Sequence, residues 1–375
     1  MSETLNLGAG NWGVKDGSLL GYNSENGNFK PLPFNFTRAT SATRVNKDGL
    51  IEVVTNNKPR IDFKDDANGA LLLEPERRNL ITYSEDFNSW SKSGTVNIET
   101  GVLSPAGDNS ANTLSGGGDL IINATTIVAS THIFSIWVKG NIGDSFRFQK
   151  SGSFSYAQNT ITIDSSDWKR YEISRDFNVA TGQIVIDSFD EGLSFWGAQL
   201  EAGSYATSYI PTQGSQVTRV QEVCSQTPPS GIIGQTEGTV FLDFKPFNDI
   251  DGLRYISFEN SSSVSNGWFG VFSGLNSGLV RFRFFGDGWN IYSSFAIEKG
   301  LRYKVAFSYK NGIATSIYIN GTFVNSITAS LSGKSFQKIR LSEAAIGSRG
   351  DADFKDIKLY DTIKTDQELQ QLTSL

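Results

Sequence analysis

The chain has 375 residues, enough for about two or three domains, with 38% hydrophobic and 19% charged residues and a net charge of −6. That acidic balance, without runs of Lys or Arg, excludes the electrostatic footprint of a nucleic-acid binder. No apolar run reaches the roughly 20 residues of a membrane helix, and a lone cysteine, Cys224, excludes an intrachain disulfide framework. Aromatics make up 12% of the chain and glycines number 38. Aromatic and β-branched side chains suit a pleated, half-buried surface, and glycines suit the turns between short strands. The expected class is all-β: an irregular N-terminal arm, two antiparallel β-sandwiches of jelly-roll type and a short C-terminal helix.

Residues 1–80 are rich in Gly, Asn and Asp, with short apolar pieces such as Leu19-Leu20 and Leu71–Leu73. They read as an anchoring arm with short strands, which needs a neighbour to bury its apolar residues. The start of the chain lacks the charged and apolar parts of a signal peptide, so synthesis in the cytoplasm is expected.

Residues 81–219 carry alternating runs. Phe134, Ile136 and Val138 share one face, and 159–164, 183–187 and 193–197 alternate likewise. Short strands at this spacing predict an antiparallel sandwich. Residues 220–235, with Pro228-Pro229-Ser230-Gly231, read as a linker, because neither sheet nor helix accommodates that run.

Residues 236–375 are the clearest. Tyr303, Val305, Phe307 and Tyr309 share a strand face, Asn311-Gly312 turns, and Ile313, Thr315, Ile317 and Ile319 form the next strand. Asn320-Gly321 turns again into a third strand from Thr322. Asn-Gly between alternating runs is a strong hairpin signal, because both turn positions need positive φ. A three-stranded meander follows from two in succession. Thr365 and Glu368 form a capping box ahead of Leu369 and Leu372, which predicts a tail helix.

Catalytic signatures are sparse. No glutamate has an aspartate two residues on, so the E-x-D-x-x-E pair of acids on one strand face is absent. Other acid pairs can still meet from distant strands. The single histidine, His132, begins an apolar strand and reads as a strand-edge residue. No G-x-S-x-G elbow occurs. Gly8 to Gly13 matches G-x-G-x-x-G, but no helical pattern follows it, so it reads as a chance match. Cys224, in the expected linker, reads as a spare thiol. No catalytic residue is assigned.

Glycan binding has more support. Sugars stack their C–H faces on aromatic rings and hydrogen-bond to Asn, Asp and Gln. Trp268, Asp287, Trp289, Asn290 and Tyr292 combine these types and are the candidate binding residues. Trp289, between Gly and Asn at an expected turn, is the first choice for exposure. The competing role for Trp268, Phe282 and Phe284 is sandwich core.

Four stretches carry a resemblance: 10–22 (GNWGVKDGSLLGY), 36–51 (FTRATSATRVNKDGLI), 71–87 (LLLEPERRNLITYSEDF) and 195–212 (FWGAQLEAGSYATSYIPT). Together they resemble bacteriophage virion surface proteins of the tail-fibre, head-fibre or decoration type. The middle segment, with 166–171 (SDWKRY), is similar to a carbohydrate-binding-module sandwich. The third segment, with 346–361 (IGSRGDADFKDIKLYD), is similar to concanavalin A-like and laminin-G-like jelly rolls. The resemblance implies a non-enzymatic subunit of the virion, a homo-oligomer with a trimer favoured. It would bind other virion proteins through the arm and host-surface polysaccharide through its outward domains. It implies no organic cofactor. Some laminin-G-like proteins hold calcium, so Asp351 and Asp353 are the candidate metal ligands, with a solvated loop as the alternative. An internal connector with protein-only contacts and a polysaccharide depolymerase are the rival readings.

Overall fold

A computed structural model describes the chain outside residues 1–2, 16–17, 24–27, 126–129, 152–156, 178–180, 228–230, 248–253, 260–267, 274–278, 287–288 and 342–350. It is all-β, with antiparallel sheets and one α-helix among the described residues, Asp366–Thr373. None of its helices is long and apolar enough to cross a membrane.

Two compact units divide the chain. The first comprises 1–39, 54–75 and 221–375, and the second comprises 40–53 and 76–220. The expected arm at 1–80 is therefore corrected. Its strand Leu5–Gly8 pairs with Ala352–Tyr360, and so does Ala70–Leu73. Leu5, Leu7, Leu71 and Leu73 join the same core as residues from the far end of the chain. Short apolar strands find their burial by pairing within the chain rather than on a neighbouring subunit. The expected linker at 220–235 is corrected too. Val223–Gln226 is an inner strand between Asn28–Thr37 and Lys338–Leu341, and Cys224 is fully buried in it. Pro228, Pro229 and Ser230 lie outside the described residues.

In the first unit, Glu237–Pro246 pairs with Tyr303–Lys310 on one side and Ala352–Tyr360 on the other. The predicted meander is present, as Tyr303–Lys310, Ala314–Ile319 and Thr322–Thr328. Asn320 and Gly321 both have positive φ, 46° and 78°, as a two-residue turn that follows the strand twist requires. A second layer runs in the order Asn28–Thr37, Val223–Gln226, Lys338–Leu341, Arg254–Glu259, Trp268–Ser273, Leu279–Gly286, Trp289–Ala296. Aromatic contacts join the layers: Phe282 lies 3.8 Å from Phe307, and Phe269 lies 4.8 Å from Tyr309. The tail helix covers the outer side of the first layer, with Leu369 buried against Phe241, Ala306 and Tyr318. Its capping box is complete. Thr365→Ala is expected to cost about 1 kcal/mol, read as a lowered thermal midpoint; an unchanged midpoint would count against the box as a stabiliser.

A fully buried charge cluster lies in this unit. Glu222 accepts from Arg60 Nε at 2.6 Å, Arg60 Nη2 at 2.5 Å and Arg38 Nη1 at 2.8 Å. Arg60 Nη2 also donates to Glu74 at 2.8 Å. Arg38 donates to the carbonyls of Thr55, Lys58 and Val54. These contacts adjoin each of the four points where the chain leaves or re-enters the unit. Two of the four residues, Arg38 and Glu74, fall inside the stretches that carry the resemblance.

The second unit is a sandwich of two five-stranded sheets. Phe134, Ile136 and Val138 are buried as predicted, and Phe134 stacks on Phe148 of the facing sheet at 4.5 Å. His132 is buried beside Phe177 at 5.1 Å, with Nδ1 2.9 Å from the Ser130 carbonyl. Its strand, Ser130–Lys139, is paired on both sides, so the strand-edge reading is corrected. The 195–212 stretch folds on its own polar groups: Glu201 accepts from the Thr207 amide and hydroxyl at 2.7 and 2.6 Å, and Gln199 accepts from the Ile210 amide at 2.7 Å.

Candidate functional site

The candidate residues fall in the first unit's second layer. Opposed residues in an antiparallel sheet share a face, and alternate residues switch faces. One register row reads Phe36, Cys224, Leu341, Ile256, Val271, Phe282. All six are buried in the core. The next row therefore belongs to the opposite face. It reads Asn35, Ser225, Arg340, Ser257, Gly270, Arg283, Tyr292. A second row on that face reads Lys338, Glu259, Trp268, Phe285, Asn290, and a third reads Arg254, Phe272, Arg281, Ser294.

The predicted glycan residues lie on three strands of this layer: Trp268 is in register with Glu259 and Phe285, Trp289 with Gly286, Asn290 with Phe285 and Tyr292 with Arg283. Asp287 lies outside the described residues. Phe282 and Phe269 are core.

A Cβ at Gly270 would stand 2.0 Å from the Ile256 carbonyl oxygen, so the middle row has no side chain there. At the face's inner part, Arg340 Nε donates to Glu259 at 2.6 Å, and both residues are buried together with Ser257. A buried carboxylate of this kind persists because its charge is paired.

The other layer's outer face is charged but paired within itself. Asp243 and Asp356 oppose each other directly, an unfavourable like-charge pairing. Arg302 relieves Asp243 at 3.1 Å and Lys358 relieves Asp356 at 2.8 Å. Burial pushes the Asp353 and Asp356 carboxyls up, against the pull of these cations. Asp353 lies in the strand Ala352–Tyr360 rather than a loop, and Asp351 is buried just before it. The Asp353 carboxylate receives Arg302 and, at 3.3 Å, Lys245. Two cations stand where calcium would need oxygens only. No group of three or more acidic, His or Cys side chains able to hold a metal occurs among the described residues. The residues at 351 and 353 do not fit a calcium site.

The second unit brings two acids together from distant positions. Glu85 accepts from the Tyr209 hydroxyl at 2.7 Å and is hydrogen-bonded to Ser110. Ser110 Oγ donates to Asp108 at 2.5 Å. Burial raises the Glu85 carboxyl, Tyr209 opposes this and Asp108 adds to it. Hydrogen bonds from Ser104 and Ser110 lower Asp108. Because the folded value of Glu85 lies above the unfolded one, its contribution to stability is full at low pH and is lost as pH rises through the raised value. Glu85→Gln buries no charge. It is expected to gain stability over the parent as pH rises out of the carboxylate range, and to match it below. Thermal midpoints of both proteins against pH check this; a gap independent of pH would refute the raised value.

No protein-family model matches the chain, and no curated protein matches it. Among solved structures, the botulinum neurotoxin serotype D/C binding domain is similar over 40% of this chain and 40% of its own, with 13% identity and a TM-score of 0.33. The chain thus spans about two fifths of that domain's length. A native heptameric SAP-like pentraxin from Limulus polyphemus is similar over 37% of this chain and 70% of its own, with 17% identity and a TM-score of 0.31. Domain 4 of a GH43 extracellular arabinanase from Geobacillus stearothermophilus, solved with arabinotriose, is similar over 46% and 84%, with 15% identity and a TM-score of 0.35.

Proposed function

We propose that this chain is a non-enzymatic structural subunit of a bacteriophage particle, a fibre or decoration protein, and that its first unit holds host-surface glycan. One observation carries the binding part: within one stretch of the sequence Trp268, Asp287, Trp289, Asn290 and Tyr292 combine aromatic rings, which stack on sugar C–H faces, with carboxylate, amide and phenol groups, which hydrogen-bond hydroxyls. The virion part is supported by the resemblance at 10–22, 36–51, 71–87 and 195–212. Attachment would work by avidity, with weak contacts multiplied across the copies of a symmetric oligomer.

The test uses the full chain, because strands from 1–39 and 54–75 belong to the same unit. Binding to a panel of immobilised bacterial surface polysaccharides is expected, and Trp268→Ala should weaken it. A full chain that binds none of them would leave protein-only contacts, as in an internal connector, as the better reading. The acid pair Glu85 and Asp108, displaced in opposite directions as acid and base partners are, favours a depolymerase as a second reading. Release of reducing ends from the bound polysaccharide, abolished in Glu85→Gln, would establish that role in place of the first.

A further inference from the structure

We propose that the side chains of Lys245 and Asp65 join in an amide bond, a covalent tie across 180 residues of chain, with Asp353 carrying the proton. The proposal goes beyond the glycan reading and does not depend on it. Lys245 lies in Glu237–Pro246, directly opposite Asp353 of Ala352–Tyr360. Its ammonium touches the Asp65 carboxylate and stands 3.3 Å from Asp353 Oδ2. Lys355, Lys358 and Lys364 each pair with one carboxylate among the described residues. Lys245 meets two, and the chemistry needs both: one carboxyl carbon to accept the nitrogen and one acid to carry the proton.

The Lys245 side chain is 17% exposed and that of Asp353 8%, while Asp65 is 45% exposed. The amine and the proton carrier are thus largely withdrawn from solvent, and the open side at Asp65 lets the product water leave. Arg302 holds the other Asp353 oxygen, Oδ1, and reaches Asp243 at 3.1 Å, which fixes the carrier in place. Burial raises the Asp353 carboxyl against the pull of Arg302 and Lys245. Burial would raise Asp65 too, but its bond to Lys245 outweighs that and lowers it. The ammonium proton therefore passes to Asp353 rather than to Asp65. Nζ then bonds to the Asp65 Cγ, and one C–O bond of that carboxylate breaks. The departing oxygen takes the proton back from Asp353 and a second from the nitrogen, and leaves as water. One ammonium and one carboxylate become one amide and one water, with nothing oxidised or reduced and Asp353 unchanged. Burial lowers the Lys245 amine, but Asp353 and then Asp65 outweigh it and hold it protonated, so the condensation is a slow maturation of the folded chain. Closing so long a loop removes freedom from the unfolded chain and fastens the 54–75 piece within the first unit.

The experiment is the intact mass of the full chain, incubated for a week at neutral pH and denatured before measurement. The expected mass is lower than the sequence mass by one water. Trypsin should then yield 65–77 linked to 220–254, because it cleaves after Lys64, Arg77, Arg219 and Arg254 but not after Lys245, which precedes proline. Lys245→Arg keeps an ion pair but has no amine to condense, and should retain its full mass, as should Asp65→Ala. Asp353→Asn should slow formation about a hundredfold, with circular dichroism checking that each variant is folded. A parent chain at full mass after the week would overturn the proposal. So would a loss of water that persists in Lys245→Arg, or a linked pair joined elsewhere, such as Asp66 with Lys355. Formation at the parent rate in Asp353→Asn would overturn the role of Asp353. Polysaccharide binding is measured separately, so either reading can fail without the other.

Discussion

Glu222→Ala is expected to lower the stability of the first unit by about 3–5 kcal/mol, the largest effect of any polar substitution in it. Glu222 accepts three hydrogen bonds from two arginines, and a fourth from the Glu74 amide at 2.9 Å. Arg38, Arg60 and Glu222 are at most 1% exposed and Glu74 is 4% exposed. With both acids present the cluster is neutral. Burial by itself would lower the Arg60 pKa, but Glu222 first and Glu74 second outweigh it and hold the guanidinium above its ordinary value. Removing Glu222 leaves two buried guanidinium charges sharing one carboxylate, and water has no access to replace it. The Gln variant keeps the shape but not the charge and should also be strongly destabilised. Urea unfolding followed by circular dichroism measures the loss as a lowered midpoint at unchanged slope. A change within about 0.5 kcal/mol, typical of a surface site, would show that the cluster is not a main support of the unit.

The second large effect separates two adjacent residues. Phe269→Ala is expected to cost about 3–5 kcal/mol. Its ring is fully buried, 4.7 Å from Phe258, 4.8 Å from Tyr309 and 4.6 Å from Phe336. It therefore bridges both layers, and no neighbour can collapse into the space without losing contacts of its own. Trp268→Ala, one residue earlier in a backbone whose successive positions alternate, is expected to change stability by less than about 1 kcal/mol. It should instead weaken glycan binding roughly tenfold or more, as loss of an aromatic anchor does. Unfolding midpoints and binding curves on the two variants give the four values needed. If Trp268→Ala unfolds as readily as Phe269→Ala, Trp268 belongs to the core and the binding face loses its main ring.

The local features of this chain were legible because their causes are local. Alternation at 303–309 and 134–138, the Asn320-Gly321 turn and the Thr365–Glu368 capping box each depend on a few neighbouring residues and the period of the backbone. What the tertiary structure decided is which distant pieces pair. Leu5–Gly8 finds Ala352–Tyr360, and Val223–Gln226 becomes an inner strand between Asn28–Thr37 and Lys338–Leu341. Short strands with unpaired edges carry no local mark of their partner, so residues 1–80 and 220–235 read as arm and linker. A strand's alternation separates two faces but does not say which one is buried; that choice is made by the register across the sheet, which lines up Phe36, Cys224, Leu341, Ile256, Val271 and Phe282 as one core row.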